Sequence, residues 1–134
     1  MDTSGLIDSL VATYRELNTK YRMLDDNPEM KQIVARMRDD EIAFSQALKD
    51  RVTGIGTADE GEKEVVDGSE RTLAQVISQF GSVRATTLNM LKGIGDESLW
   101  DKRDDDGKTI REHVGDLVKS DAAQLERLSQ AAGI

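Results

Sequence analysis

Four polar residues occupy positions where the sequence otherwise places apolar side chains at helical spacing. They are Tyr14, Glu41, Arg84 and Asp121. At about 100° per residue, each points to the same side of its helix as the apolar residues one turn away. Burying any of the three charges without a partner would be strongly unfavourable. We therefore expect the four side chains to meet, with Arg84 between the two carboxylates and the Tyr14 hydroxyl as a further donor.

This inward cluster has two interpretations. It can be a polar pocket that binds an anion or a metal ion, or that performs acid–base chemistry. It can also be a buried salt-bridge network that fixes the register of the helices. We favour the network and keep the pocket as the alternative.

His113 and Asp116 are the remaining candidates for metal ligands. His113 is the only histidine, and it lies at the edge of the apolar stripe of the last predicted helix, with Thr109 and Asp116 one turn away. A histidine at such a boundary is more often a packing or surface residue than a ligand. The chain has no cysteine, which excludes zinc sites with sulfur ligands. We expect no cofactor, and a divalent metal ion is the alternative.

Four amphipathic helices are needed to position these residues. Apolar residues recur with helical period over residues 3–24, 27–52, 69–93 and 109–131. Asn27 before Pro28 marks the start of the second helix, and Thr109 with Glu112 forms a capping-box pattern at the start of the fourth. Ser69 or Asp67 would open the third. No segment alternates with period two, so residues 1–134 are predicted to form one all-α domain, a four-helix bundle.

Two segments fall outside this periodicity. Residues 54–68 are rich in glycine and acids, and are either mobile or a crossover between two helix pairs. Residues 101–107, DKRDDDG, are expected to form a solvated turn before the last helix. Trp100 with Leu99 is expected to cover one end of the core.

The second and fourth predicted helices align at an offset of 80 residues, and the first and third at an offset of 70. The alignment places Glu41 on Asp121 and Tyr14 on Arg84. We interpret the chain as two similar helical hairpins related by a pseudo-two-fold axis.

The net charge of −8 limits the classes of partner. An acidic chain without a basic patch is a poor ligand for nucleic acid or for an anionic membrane. No apolar run approaches the ~18 residues of a membrane span, and residues 1–10 lack the pattern of a signal peptide. We expect a cytoplasmic protein.

The segment LNMLKGIGDESLWDKRDDDGKTIREHVGDLVKSD contains a helix end, a loop and a helix start of the form [ST]-[IV]-R-E. Residues 88–128 thereby resemble the N-terminal hairpin of the DinB/YfiT-like four-helix-bundle superfamily, and PEMKQIVARMRDDEIAFSQALKDR resembles a second, weaker copy. The resemblance implies a bundle that is often homodimeric. Members with the full motif hold a divalent metal with three histidines, and some use thiol cofactors as substrates.

The metal histidine of that superfamily does not carry over. Its position falls on Asp116 in the fourth helix and on Arg36 in the second, and His113 lies three residues before it. We therefore expect a DinB-like homodimer that is non-catalytic or binds a small ligand. One alternative is a divalent-metal-dependent hydrolase or thiol-dependent transferase that uses Asp116, His113, Glu41 and Asp121. Another is an adaptor that binds a partner through the surface near residues 54–68.

Overall fold

The computed structural model describes residues 2–53 and 71–134. Its four α-helices are α1 Thr3–Glu16, α2 Pro28–Thr53, α3 Leu73–Lys92 and α4 Ile110–Ala132. A π-helical turn, Leu17–Tyr21, extends α1, and a 3-10 helix, Glu97–Asp101, precedes α4. The described ranges contain no strand, only an isolated bridge between Arg103 and Thr109. Within the described ranges, the predicted all-α class and the four long helices are confirmed.

The helix starts follow the capping chemistry of the sequence. Asn27 accepts hydrogen bonds from the backbone N–H groups of Glu29 and Met30, and Thr109 with Glu112 forms a complete capping box. The start of the third helix was predicted too early. A second capping box, between Thr72 and Gln75, places it at Leu73. The expected caps, residues 67 and 69, lie outside the described residues.

Within the described residues, the consecutive helices of each predicted hairpin do not pack extensively on each other. Helix α2 packs most extensively on α3, whereas α1 packs on α4 and α3, so the consecutive helices α1 and α2 lie across the bundle from each other. Asp26 before α2 accepts from the backbone N–H of Leu73 at the start of α3, so these two helices run in the same direction. Their ends therefore have the placement that a crossover requires. The predicted loop, 54–68, lies outside the described residues.

The buried side chains form two apolar clusters. The first lies at the end of the bundle where the chain passes from α1 to α2. The second lies at the end where α4 begins. The first comprises Leu17, Tyr21, Met30, Val34, Met37, Leu73, Val76, Ile77, Phe80 and Leu128; the second comprises Leu6, Leu10, Leu48, Leu91, Trp100, Ile110 and Val114. Trp100 closes the second cluster as predicted, but Leu99 does not, because it is 43% exposed. Of the helices described, none is long and apolar enough to cross a membrane.

Gly81 on α3 lies directly against the Tyr14 ring of α1. A Cβ atom at this position would lie 2.4 Å from Cε1 of the Tyr14 ring, so a larger residue would have to displace that ring. In contrast, a Cβ at Gly115 on α4 would meet no atom within 4 Å. The two helical glycines thus differ in the space beside them.

We expect Gly81→Ala to lower the free energy of unfolding by about 1–3 kcal/mol, because the added methyl group overpacks the contact with Tyr14. Gly115→Ala is the matched control, and should raise the stability by about 0.5–1 kcal/mol because alanine favours the helix. Urea denaturation measures both. Adding Tyr14→Ala should remove the penalty of Gly81→Ala; a penalty that persists in the double variant would contradict the clash.

Candidate functional site

Arg84 lies between Glu41 and Asp121, as predicted. Its Nε and Nη2 atoms donate to the two carboxylate oxygens of Glu41 at 2.8 and 2.9 Å, and Nη1 and Nη2 donate to those of Asp121, both at 3.0 Å. Nη1 also donates to the carbonyl oxygen of Leu10 at 2.9 Å. A guanidinium has five N–H groups, so these five bonds use all of them. Both ion pairs have the bidentate geometry that makes arginine–carboxylate contacts strong.

This network is closed to solvent. The exposed fractions of Glu41, Arg84 and Asp121 are 0%, 1% and 5%. Burial disfavours the charged guanidinium, but its hydrogen bonds with Asp121 and Glu41 outweigh that effect and hold the pKa of Arg84 above its usual value. The Phe80 ring lies 4.8 Å from the Arg84 Cζ atom and adds a cation–π contact. The geometry therefore favours a structural network over an open pocket.

The expected role of Tyr14 is wrong. The Thr13 hydroxyl donates to Oδ2 of Asp121 at 2.8 Å and is also within 3.2 Å of the Ser9 carbonyl oxygen. The half-buried Tyr14 ring packs instead against Gly81 on α3. Thr13 precedes Tyr14 on α1, and its short side chain is the one whose hydroxyl fits beside Asp121.

A different set of residues surrounds open space near the start of α4. A cavity of about 100 Å³ lies between α2 and α4, and its wall is mainly apolar. The apolar part comes from Phe44, Ala47, Leu48 and Ile110, and the polar part from Arg51, Asp104 and His113. We call this the inner cavity. Of its polar residues, the sequence had singled out only His113.

Asp104 organises the polar side of the inner cavity. Its Oδ2 atom lies 2.9 Å from Nη1 of Arg51 and 3.0 Å from Nε2 of His113. Its Oδ1 atom accepts from the backbone N–H groups of Asp106 and Lys108 at 2.9 and 3.0 Å. The hydrogen bond from His113, the two backbone N–H groups and the positive charge of Arg51 lower the pKa of Asp104 to about 2.

The contacts of the metal candidates differ from those expected. The His113 ring is hydrogen-bonded to Asp104 on the preceding turn, and the backbone N–H of His113 donates to the Thr109 carbonyl oxygen. Asp116 is exposed and forms an ion pair with Lys108 at 2.8 Å. Within residues 2–53 and 71–134, no three histidine, aspartate or glutamate side chains are grouped closely enough to hold a metal ion. The 101–107 turn, expected to be merely solvated, fixes the end of α2 through Arg51.

A second cavity of about 260 Å³ adjoins the first, and we call it the outer cavity. The two share Arg51, Asp104 and Ile110 as wall residues. The outer cavity adds apolar contacts from Val52, Ile94 and Leu99 and charged side chains from Lys102, Arg103 and Asp105. The fold and these sites together define a helical bundle with a closed central network and an open, mainly apolar space at one end.

No protein-family model, no curated protein and no solved structure matches this chain. The resemblance to the DinB/YfiT-like superfamily stays a prediction from the motifs of the sequence.

We expect Arg84→Met to lower the free energy of unfolding by about 3–5 kcal/mol, because it leaves two carboxylates buried without a cation. The triple variant Glu41→Leu, Arg84→Met, Asp121→Leu should recover most of that loss, since Thr13 can keep its bond to Ser9. Lys108→Met, which breaks the exposed pair with Asp116, is the control and should change stability by less than about 1 kcal/mol. Chemical denaturation at pH 7 measures all three, and an unaltered stability of Arg84→Met would contradict the network.

The contribution of Asp104 to stability should depend on pH. The pKa of this carboxyl is about 2 in the folded protein against an ordinary value of 3.8, so folding favours the ionised form. Its stabilising effect is complete above about pH 5 and is lost as the pH falls through 3.8 towards 2. Urea titrations between pH 7 and pH 2.5 should therefore show wild type and Asp104→Asn converging at low pH. Asp106→Asn is the control, and should show no such convergence; a difference that is constant with pH for Asp104→Asn would refute this assignment.

Proposed function

We propose that this protein is a DinB-like helical bundle that binds a small, largely apolar ligand without catalysing its conversion, and that the inner cavity is the binding site. The observation that carries the proposal is the composition of the cavity wall, in which four apolar side chains face three polar ones held in fixed positions. Small-molecule sites typically combine an apolar lining with a few oriented polar groups. Such a wall suits a ligand that buries an apolar group and places a polar group at the rim.

The closed state of the central network supports this choice of site. Arg84 has used all its donors, and both of its carboxylate partners are buried, so a ligand at that point would have to break existing bidentate pairs. The inner cavity needs no such rearrangement. Binding there adds apolar contacts at about 25 cal/mol per Å² of apolar area removed from water.

The proposal that the protein is not a catalyst rests on the partners that Asp104 and Asp116 have within the protein. Asp104 accepts four hydrogen bonds, and two of them come from the backbone of its own turn. A carboxylate with a pKa of about 2 is a weak base at neutral pH, which suits an anchoring role better than proton transfer. Asp116, where the superfamily would place a metal histidine, is paired with Lys108. The homodimer and the cytoplasmic location belong to the same proposal, and the homodimer rests on the resemblance alone.

Ligand binding can be tested with N-phenyl-1-naphthylamine, a neutral apolar fluorophore that brightens when it leaves water. We expect saturable binding with a stoichiometry near one per chain. Ala47→Trp should abolish it, because the indole would fill the inner cavity. Ala43→Trp is the matched control: Ala43 is also an exposed alanine of α2, lies one turn earlier and does not line the cavity.

Near-UV circular dichroism of each variant shows whether the bundle stays intact. Equal binding by the Ala47→Trp and Ala43→Trp proteins would overturn the assignment of the inner cavity.

A further inference from the structure

The inner and outer cavities share part of their walls, and we treat them as one candidate site. Ile110 lines both of them and provides an apolar wall from one to the other, and Arg51 with Asp104 also borders both. The volumes of the two cavities, about 100 and about 260 Å³, together fall in the range of about 300–1,000 Å³ that small-molecule sites usually have. A ligand that uses both must therefore be elongated.

The charged side chains of the outer cavity are largely paired. Three basic side chains, Arg51, Lys102 and Arg103, line it with two carboxylates, Asp104 and Asp105. Arg51 is paired with Asp104 and Arg103 with Glu112, so the wall charges that remain without an ion pair among the described residues are those of Lys102 and Asp105. Lys102 is therefore the cation of this wall with which a ligand carrying one negative charge can pair.

Lys102 is the basic residue best placed to meet that charge. Arg103 is within 3.3 Å of Glu112, and Arg51 binds Asp104, whereas no acid of the described ranges lies within ion-pair distance of the Lys102 ammonium. The Lys102 carbonyl oxygen accepts a hydrogen bond from Arg51, which fixes its backbone beside the cavity while its side chain stays exposed. A side-chain substitution at Lys102 therefore leaves the bond to Arg51 intact.

We infer that the ligand is an amphiphilic monocarboxylate. Its unbranched apolar tail lies along Ile110 into the inner cavity, between Phe44 and Leu48, and its carboxylate lies in the outer cavity beside Lys102. This inference rests on the proposed function, and it adds the chemical class of the ligand and the residue that selects it.

Sodium decanoate, decan-1-ol and decyltrimethylammonium have the same tail with a negative, neutral and positive head. We expect decanoate to displace N-phenyl-1-naphthylamine at a concentration about tenfold lower than decanol does, and the cation to be the weakest, because a partly desolvated ion pair with Lys102 adds to the shared apolar contacts. In Lys102→Glu, decanoate should lose about tenfold in affinity while decanol is unchanged. Lys20→Glu is the matched control, since it makes the same charge change at an exposed position of the π-helical turn, at the other end of α1.

The outcomes separate the two proposals. If the fluorophore binds in an Ala47-dependent manner but the three amphiphiles displace it equally, the cavity stands as a site and the carboxylate assignment is overturned. The same holds if Lys20→Glu weakens decanoate as much as Lys102→Glu does. If the fluorophore does not bind at all, both proposals fall.

Discussion

The buried charge of Arg84 is the constraint on which the arrangement of the helices depends. From α3 it contacts Glu41 on α2, Asp121 on α4 and the Leu10 carbonyl on α1, so one side chain connects all four helices. Desolvating three charges offsets much of the attraction between them, and the network need not add much stability relative to an apolar core. Its effect on specificity is larger, because any shift in helix register would leave a charge buried without its partner. We therefore attribute the unique packing of the bundle to this layer.

The network of Glu41, Arg84 and Asp121 separates the two apolar clusters. The clusters differ in the contacts that close them at the two ends of the bundle. The first cluster ends at the corner between α1 and α2, where Tyr21 and Met30 are buried. The second contains Leu48 and Ile110, which line the inner cavity. There the end of α2 is joined to the start of α4 by polar contacts, through Arg51 and Asp104, instead of by close apolar packing. Interdigitating apolar side chains would fill the space beside this connection. The polar contact leaves that space open.

Helical periodicity was sufficient to predict the four helices and the meeting of Glu41, Arg84 and Asp121, because it reports which residues share a face. It does not report which helices are neighbours, and the sequence therefore did not show that α2 packs mainly on α3. Tyr14 was predicted to join the network, but Thr13 does so. The side chains of these two neighbours point about 100° apart around the helix axis, and periodicity does not show which hydroxyl reaches Asp121. Asp104 was missed because a turn has no period, and its partners are as distant in sequence as Arg51.

Asp104 also bears on the chemistry that the superfamily resemblance suggests. In that resemblance the start of α4 would supply a metal ligand, but the residue at that position, Asp116, is an exposed partner of Lys108. His113 is held by Asp104, which in turn is saturated by Arg51 and by its own turn. The basic side chains of Arg51, Arg103 and Lys108 each lie beside a carboxylate, whereas within the described residues no acid lies at ion-pair distance from the Lys102 ammonium. Under the proposed function, recognition would therefore depend mainly on the apolar wall of the cavities, with Lys102 as the cation left for a charged group of the ligand.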